Sequence, residues 1–258
     1  MRGGSSRWAG WITGALAAVT LVVLASPAAA ACRVPATLMG FSAGLPMMAT
    51  ALHLNRPVTI VALGSSSTYG TGASTPERTY PAQLQAALSQ GLPGRAVAVI
   101  NRGVNGDTAT MMLERLQQDV VAEQPTLVIW QTGTNDVLRG VPLAEFLLTV
   151  RAGLARLRAA GADVVLMETQ WLPTHEGDPT LAAYIDGLRT LARETGTPLF
   201  RRHALMTHLI EDQRVPAERL IGEDKLHMRD EAYACTAAVL ADRILATLPQ
   251  AAQRTAAR

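Results

Sequence analysis

The sequence predicts an α/β fold in which helices cover both faces of a central parallel sheet. Three observations support this prediction: short apolar segments recur along the chain, amphipathic segments lie between them, and 48% of the 258 residues are hydrophobic against 17% charged. Apolar strands connected by helices are typical of parallel sheets that are buried on both faces. The composition is that of a globular chain and excludes a disordered or collagen-like one.

Five segments are predicted as strands from their length and their content of apolar and β-branched residues. The clearest is Val58–Leu63, which Gly64 closes. The other four, in chain order, are Val97–Ile100, Leu127–Gln131, Val164–Met167 and Pro198–Phe200.

Apolar residues recur at helical spacing between and after these strands, bounded by residues that start or stop helices. Five helices are predicted on this basis. They are a helix from Pro81 to Gly91, one that carries Leu113, Leu116 and Val120, one from Pro142 to Gly161, one capped by Asp178, and a last helix from about Asp230 to Leu248.

The first 31 residues have the order of a secretory signal peptide. Two arginines precede an apolar stretch, and an alanine-rich segment that ends at Ala31 offers the small residues of a cleavage site. We therefore interpret residues 1–31 as a signal peptide, residues 32–250 as a single domain and residues 251–258 as a frayed tail. An uncleaved membrane anchor is the alternative, because the apolar run is just long enough to span a bilayer. A lipid-modified Cys32 is a lesser alternative.

Export would explain both the charge balance and the cysteines. The first 31 residues hold two of the 23 basic residues and none of the 21 acidic ones, so the remaining chain is neutral, with 21 of each. The basic excess of the full chain is therefore no evidence for nucleic-acid binding, and we expect no nucleic-acid partner. We expect a monomer in the periplasm or secreted medium, without stable membrane insertion after cleavage. In an oxidising compartment, Cys32 and Cys235 are expected to form a disulfide, although two unpaired thiols remain the alternative.

Unusual residues concentrate after the predicted strands, where parallel sheets bind their ligands. Gly64–Gly70 reads Gly-Ser-Ser-Ser-Thr-Tyr-Gly and holds half of the six serines that follow the signal segment. Asn101–Thr108 follows the second strand, Gly133–Asp136 follows the third, and Asp224–His227 precedes the last helix. Each segment alone is a weak indication, since a Ser-rich or Gly-rich loop is most often a plain turn.

Together and in this order, the four segments resemble the four sequence blocks of the SGNH (GDSL-type) hydrolases. The resemblance implies a flavodoxin-like three-layer sandwich and serine-dependent ester hydrolysis without a metal or an organic cofactor. It assigns Ser66 to the nucleophile, and Asp224 and His227 to the acid and base positions. It also assigns Ser66, Gly106 and Asn135 to the oxyanion hole.

The first block departs from the family pattern. The family usually reads Gly-Asp-Ser-Leu, whereas Ser65 stands here in place of the Asp and Ser67 in place of the Leu. The hydroxyl at Ser66 remains, so we expect the chemistry to survive. The lost carboxylate leaves the hydrogen bonding of this loop open, and it makes Ser65 a rival nucleophile.

The chemistry of the residues supports the same roles. A serine hydroxyl needs a base within hydrogen-bond reach. Of the five histidines, only His227 follows a carboxylate by three residues, and Asp224 at that position could fix the imidazole tautomer. His203 and His208 are interpreted as surface or packed residues, and Asp136 as support for the Asn135 loop.

The leading functional prediction is an exported esterase that cleaves carboxylic esters through an acyl-enzyme on Ser66. Short acyl groups are favoured, such as acetyl esters of carbohydrates, and the partner is a small-molecule or carbohydrate ester. One alternative is an O-acetyltransferase that uses the same site on an envelope polysaccharide. Another is a non-catalytic carbohydrate-binding protein on this scaffold. A flavin or nucleotide binder, with phosphate at the serine loop, leaves Asp224 and His227 unexplained.

Overall fold

The structure is a computed structural model that describes Met1, Cys32 and residues 34–249. The predicted signal peptide, apart from Met1, and the predicted tail at 251–258 lie outside these residues. The boundaries of the domain therefore remain a prediction. Within the described residues, no helix combines the length and apolarity needed to cross a membrane.

A five-stranded parallel sheet forms the centre of the molecule. Its strands are β1 (Val58–Gly64), β2 (Val97–Gly103), β3 (Leu127–Gln131), β4 (Asp163–Met167) and β5 (Leu199–Phe200). They lie in the order β2-β1-β3-β4-β5, and every neighbouring pair is parallel. This is the strand order of the flavodoxin-like fold, so the predicted α/β class is confirmed.

The described residues contain twelve α-helices, which cover both faces of the sheet. In chain order they are α1 (Ala36–Met39), α2 (Pro46–His53), α3 (Ser66–Tyr69), α4 (Tyr80–Gly91), α5 (Ala109–Glu114), α6 (Leu116–Asp119), α7 (Thr134–Leu138), α8 (Leu143–Ala159), α9 (Pro179–Thr195), α10 (Arg202–Glu211), α11 (Ala217–Leu220) and α12 (Asp230–Ala246).

Strand β1 separates two hydrophobic cores because its side chains alternate between the two faces of the sheet. Ile60 and Ala62 belong to one core, which α2, α4, α10 and α12 cover. Val61 and Leu63 belong to the other, which α5, α8 and α9 cover. This arrangement makes the three layers that the family resemblance implies.

One predicted helix is wrong. The segment that carries Leu113, Leu116 and Val120 forms two short helices, α5 and α6, which are separated at Arg115. The Arg115 guanidinium donates to the carbonyl oxygens of Gly64 and Arg102 at 3.1 Å and 2.9 Å. A side chain bound to the ends of β1 and β2 fixes the position of this break.

The predicted disulfide is present between Cys32 and Cys235, whose Cα atoms lie 5.3 Å apart. It joins the chain ahead of α1 to the buried face of α12, where Cys235 is 2% exposed.

Candidate active site

Three loops meet beyond the carboxyl ends of the first three strands. Ser66 begins α3 after β1, Gly106 lies in the loop after β2, and Asn135 lies in α7 after β3. His227 comes from the turn ahead of α12. Because β1 lies between β2 and β3, these loops surround the point where the strand order reverses, which is the ligand position of such sheets.

A continuous hydrogen-bond chain links a serine, a histidine and an aspartate. The Oγ of Ser66 lies 3.0 Å from Nε2 of His227, and Nδ1 of the same ring lies 2.6 Å from Oδ2 of Asp224. With an ionised carboxylate, Nδ1–H donates to Asp224 and Nε2 accepts from the serine hydroxyl. The ring is therefore held in the tautomer that can take a proton from Ser66.

The turn that carries Asp224 and His227 is closed by its own backbone. The N–H of Gly222 donates to the carbonyl of His227 at 2.8 Å, and Lys225 between them adopts a left-handed conformation with φ of 57°. The other oxygen of Asp224, Oδ1, accepts the N–H groups of Leu226 and His227, each at 3.0 Å. One turn thus presents both side chains on the same side.

The pKa of Asp224 is lower than its usual value. Desolvation by burial would raise it, but hydrogen bonds from the His227 N–H, the imidazole and the Leu226 N–H together outweigh that effect. The side chain of Asp224 is 50% exposed and that of His227 is 19% exposed. The carboxylate therefore stays ionised at neutral pH, beside an imidazole that solvent can reach.

Gln131 supplies a hydrogen-bond acceptor to the first block, in which the family's usual aspartate is missing. Its Oε1 accepts the N–H of Ser65 at 2.9 Å, the Ser65 hydroxyl at 3.2 Å and the Thr68 hydroxyl at 3.2 Å. Ser65 is only 2% exposed, and its hydroxyl donates to this amide, whereas the imidazole of His227 contacts Ser66. The doubt about the hydrogen bonding of this loop is thus answered by the last residue of β3.

A hydrogen bond joins Asn135 to the residue that follows Gly106. The side-chain amide of Asn135 donates to the carbonyl of Asp107 at 2.9 Å, which leaves its second amide hydrogen for another acceptor. Gly106 has φ of 83°, and Nη2 of Arg139 lies 3.0 Å from where a Cβ would stand. A larger residue at Gly106 would therefore be strained and would meet the guanidinium.

Asp136 links α7, which carries Asn135, to α5 by a hydrogen bond, in agreement with its predicted supporting role. Its carboxylate accepts the N–H of Ala109, the first residue of α5, at 3.0 Å. Burial raises the pKa of Asp136, although hydrogen bonds from the N–H groups of Ala109, Gly133 and its own residue act in the opposite direction. The bond joins the third block to the residue that directly follows the second block.

Arg115 is not among the predicted site residues, yet it binds two of the four segments of the site. Besides its bonds to the strand ends, its Nε contacts the carboxylate of Asp107 at 2.7 Å. The only available indication was a charged residue within a run of apolar helical spacing, and such residues usually face solvent.

The remaining histidines are separate from this chain of hydrogen bonds. Burial, with the nearby Arg189 and Arg202 charges, lowers the pKa of His203 to about 4. His208 contacts Asp212 at 2.6 Å within the region of α10. Both positions agree with their interpretation as packed or surface residues.

A protein-family model described as the non-GDSL lipase-like family matches residues 31–250. The chain is an SGNH hydrolase of this family. The description suits a first block that reads Gly-Ser-Ser-Ser, and the match confirms the resemblance found in the four blocks.

Several known esterases are similar to this SGNH hydrolase. An arylesterase of Vibrio mimicus is 28% identical over 66% of this chain and 80% of the relative. Esterase TesA of Pseudomonas aeruginosa is 30% identical over 55% of this chain and 68% of the relative. An acetylxylan esterase of Geobacillus stearothermophilus is 27% identical over 52% and 64%, respectively. With the family match, these relatives identify the chain as a hydrolase that acts on ester bonds.

Solved structures support the fold of this SGNH hydrolase. A two-domain esterase active on acetylated mannans superposes with a TM-score of 0.71 at 19% identity, over 83% of this chain and 57% of that protein. The crystal structure of TesA gives a TM-score of 0.62 at 24% identity, over 74% of this chain and 99% of that one. The chain thus spans little more than half of the two-domain esterase.

Proposed function

We propose that this protein is an exported serine esterase that cleaves carboxylic esters through an acyl-enzyme on Ser66. The observation that carries the proposal is the hydrogen-bond chain from Ser66 through His227 to Asp224, with distances of 3.0 Å and 2.6 Å. A nucleophile, a base in hydrogen-bond contact and a group that orients the base are the parts that acyl transfer requires.

In the first half-reaction, Oγ of Ser66 attacks the ester carbonyl carbon as its proton passes to Nε2 of His227. The carbonyl oxygen becomes an oxyanion, which accepts hydrogen bonds from the backbone N–H groups of Ser66 and Gly106 and from the amide of Asn135. The tetrahedral intermediate collapses by breaking the bond to the alcohol oxygen. His227 returns the proton to that oxygen, and the acyl group stays on Ser66.

In the second half-reaction, water attacks the acyl-enzyme and gives its proton to His227. Collapse of the second intermediate returns this proton to Oγ of Ser66 and releases the carboxylic acid. The side chain of Asp224 is 50% exposed, so solvent lies next to the catalytic turn, and we propose water rather than a sugar hydroxyl as the acceptor.

The substrate class that we propose is the acetylated carbohydrates. Two similar proteins support it, the acetylxylan esterase and the esterase active on acetylated mannans. Large apolar side chains close in the chain to the predicted site residues are also exposed: Tyr69 is 58% exposed, Val104 43%, Met111 42% and Leu138 39%. Each lies within five residues of Ser66, Gly106 or Asn135 in the chain, and exposed apolar surface of this kind suits the face of a sugar ring.

Export is supported by the order of residues 1–31 and by the disulfide between Cys32 and Cys235, since such bonds persist in oxidising compartments. Fractionation of cells that produce the full chain tests this part of the proposal. We expect the protein in the periplasm or the medium, with a mature N-terminus near Cys32.

The test of the nucleophile compares Ser66→Ala with Ser65→Ala. Acetate release from acetylated xylan and mannan, and hydrolysis of p-nitrophenyl acetate and laurate, are measured with the mature protein. We expect Ser66→Ala to lower kcat by up to about 10⁶-fold and Ser65→Ala to retain most activity. The reverse pattern would contradict the assignment of the nucleophile. Acetyl transfer to an added oligosaccharide in place of acetate release would indicate the acetyltransferase.

A further inference from the structure

Gln170 follows β4 and is buried, with 1% exposure, yet it contacts three segments of the site. Its Nε2 donates to the carbonyl of Leu226 at 2.9 Å, next to His227. Its Oε1 accepts the hydroxyl of Thr134, next to Asn135, at 3.1 Å. At 3.4 Å, the same oxygen also accepts the hydroxyl of Ser67, which follows Ser66.

A buried cation fixes the orientation of the Gln170 amide. The guanidinium of Arg202 donates to Oε1 at 2.9 Å, and it is fully buried. A guanidinium only donates and a backbone carbonyl only accepts, so Oε1 must face Arg202 and the amide hydrogens must face Leu226. Desolvation lowers the pKa of Arg202 to about 10, which leaves it charged at neutral pH.

The peptide between Leu226 and His227 is held at both ends by this arrangement. Its carbonyl oxygen accepts from Gln170, and its N–H donates to Oδ1 of Asp224 at 3.0 Å. Rotation of this peptide would break one bond or the other. The imidazole of His227 is carried by the Cα that directly follows it.

We propose that Gln170 is a positioning residue, which fixes the Leu226–His227 peptide and thereby the distance from the imidazole to Oγ of Ser66. The inference rests on the proposed serine mechanism. The amide hydrogens of Gln170 bind the carbonyl of Leu226, so their loss affects the substrate through His227. Loss of its amide hydrogens should therefore lower kcat and leave KM nearly unchanged.

The test uses Gln170→Glu, which keeps oxygen acceptors for Arg202 and Thr134 but has no hydrogen for the Leu226 carbonyl. We expect kcat to fall roughly 10- to 100-fold, the effect of a misplaced catalytic group, with KM within about twofold. The matched control is Gln83→Glu. The amide of Gln83, which lies in α4, likewise donates to a backbone carbonyl, that of Arg78. The control should retain the kcat of the wild type.

A spectroscopic measurement separates positioning from general loss of structure. The proton between Nδ1 of His227 and Asp224 should give a far-downfield NMR resonance in the wild type. We expect Gln170→Glu to shift or broaden it while the methyl spectrum of the core stays native. A folded Gln170→Glu with the wild-type kcat and an unchanged resonance would overturn the proposal.

Two further variants keep the outcome decisive. If Gln170→Glu does not fold, the double variant Gln170→Met, Arg202→Met removes the buried cation together with its partner. It should show the same loss of kcat, and wild-type turnover in it would also overturn the proposal. Ser66→Ala is measured in parallel: if it remains active, the serine mechanism fails, whereas inactive Ser66→Ala with fully active Gln170 variants refutes the positioning role alone.

Discussion

At the scale of single residues, a glutamine behind the first block supplies a hydrogen-bond acceptor where the family usually has a carboxylate inside that block. Gln131 offers one oxygen to three donors of the nucleophile loop, of which two belong to Ser65. All of these groups are buried, so each would be costly to leave without an acceptor. Gln131 therefore supports the backbone on which Ser66 stands.

Gln131→Met tests this support. The substitution preserves shape but removes the acceptor, so we expect a loss of about 1–3 kcal/mol in the free energy of unfolding, measured by urea denaturation. We also expect a lower kcat, because the loop that carries Ser66 loses its anchor. Gln118→Met, at an exposed position, is the control and should change stability by less than about 0.5 kcal/mol. Equal stability of the two variants would refute the role.

Asp224→Asn and Asn135→Ala separate support of the base from stabilisation of the oxyanion. In Asp224→Asn the amide can hold the wrong tautomer of His227, so kcat should fall by about 10⁴ with the fold intact. Asn135→Ala should lose about 10²–10³ in kcat and keep the shape of the pH–rate profile. Near-native turnover in Asp224→Asn would instead indicate a Ser-His dyad.

The contrast between predicted and missed residues has a physical cause. Asp224 and His227 lie within one turn, and their three-residue spacing is visible in the sequence. Gln131 and Ser65 are 66 positions apart, and Gln170 and Leu226 are 56 apart. A glutamine has no distinctive spacing to such partners, and only the folded sheet brings them together.

At the scale of elements, α3 rests directly on β2. A Cβ at Gly103, the last residue of β2, would overlap the backbone nitrogen of Tyr69. Asn101, also in β2, donates from its side-chain amide to the carbonyl of Thr68 at 2.8 Å. The helix that begins with Ser66 is thus held against the edge strand by contacts that only a glycine permits.

Gly103→Ala should separate these two elements. We expect a loss of about 1–3 kcal/mol in the free energy of unfolding, because the added methyl group meets backbone that can move only with the whole helix. Activity should fall as well, since the same movement displaces Ser66. Gly44→Ala is the matched control, because a Cβ there meets nothing within 4 Å. Thermal melts and kcat are measured for both variants. A Gly103→Ala protein with the stability and kcat of the wild type would refute the close approach.

The bounds of a strand could be predicted from the sequence where all of its residues are buried, because its apolar content then marks both ends. Strand β3 has the predicted bounds, and it is buried along its whole length. Strand β2 continues three residues beyond its predicted end, to Gly103, through the polar Asn101 and Arg102. Its residues are half-buried or exposed because it lies at the sheet edge, so apolar content could not mark where it ends.

At the scale of the whole molecule, the disulfide encloses nearly the entire described chain. Cys32 and Cys235 are 203 positions apart, and a loop of that length is worth about 5 kcal/mol in the chain-entropy description. We expect reduction to lower Tm by roughly 5–15 °C. The double variant Cys32→Ala, Cys235→Ala should melt like the reduced protein. Two titratable thiols in protein isolated from the periplasm would contradict the bond.

The same bond decides how the molecule would respond to a pull on its two ends. Tension applied at the mature N-terminus, near Cys32, passes through the sulfur atoms into α12 and continues from Cys235 toward the C-terminus. All five strands lie inside the covalent loop, so they cannot be drawn out into extended chain. In the reduced protein, a pull on the N-terminal side would instead reach β1, and with it Ser66, before any other strand. An enzyme fixed by its ends to a cell wall or a bead would therefore keep its nucleophile off the line of tension only while oxidised.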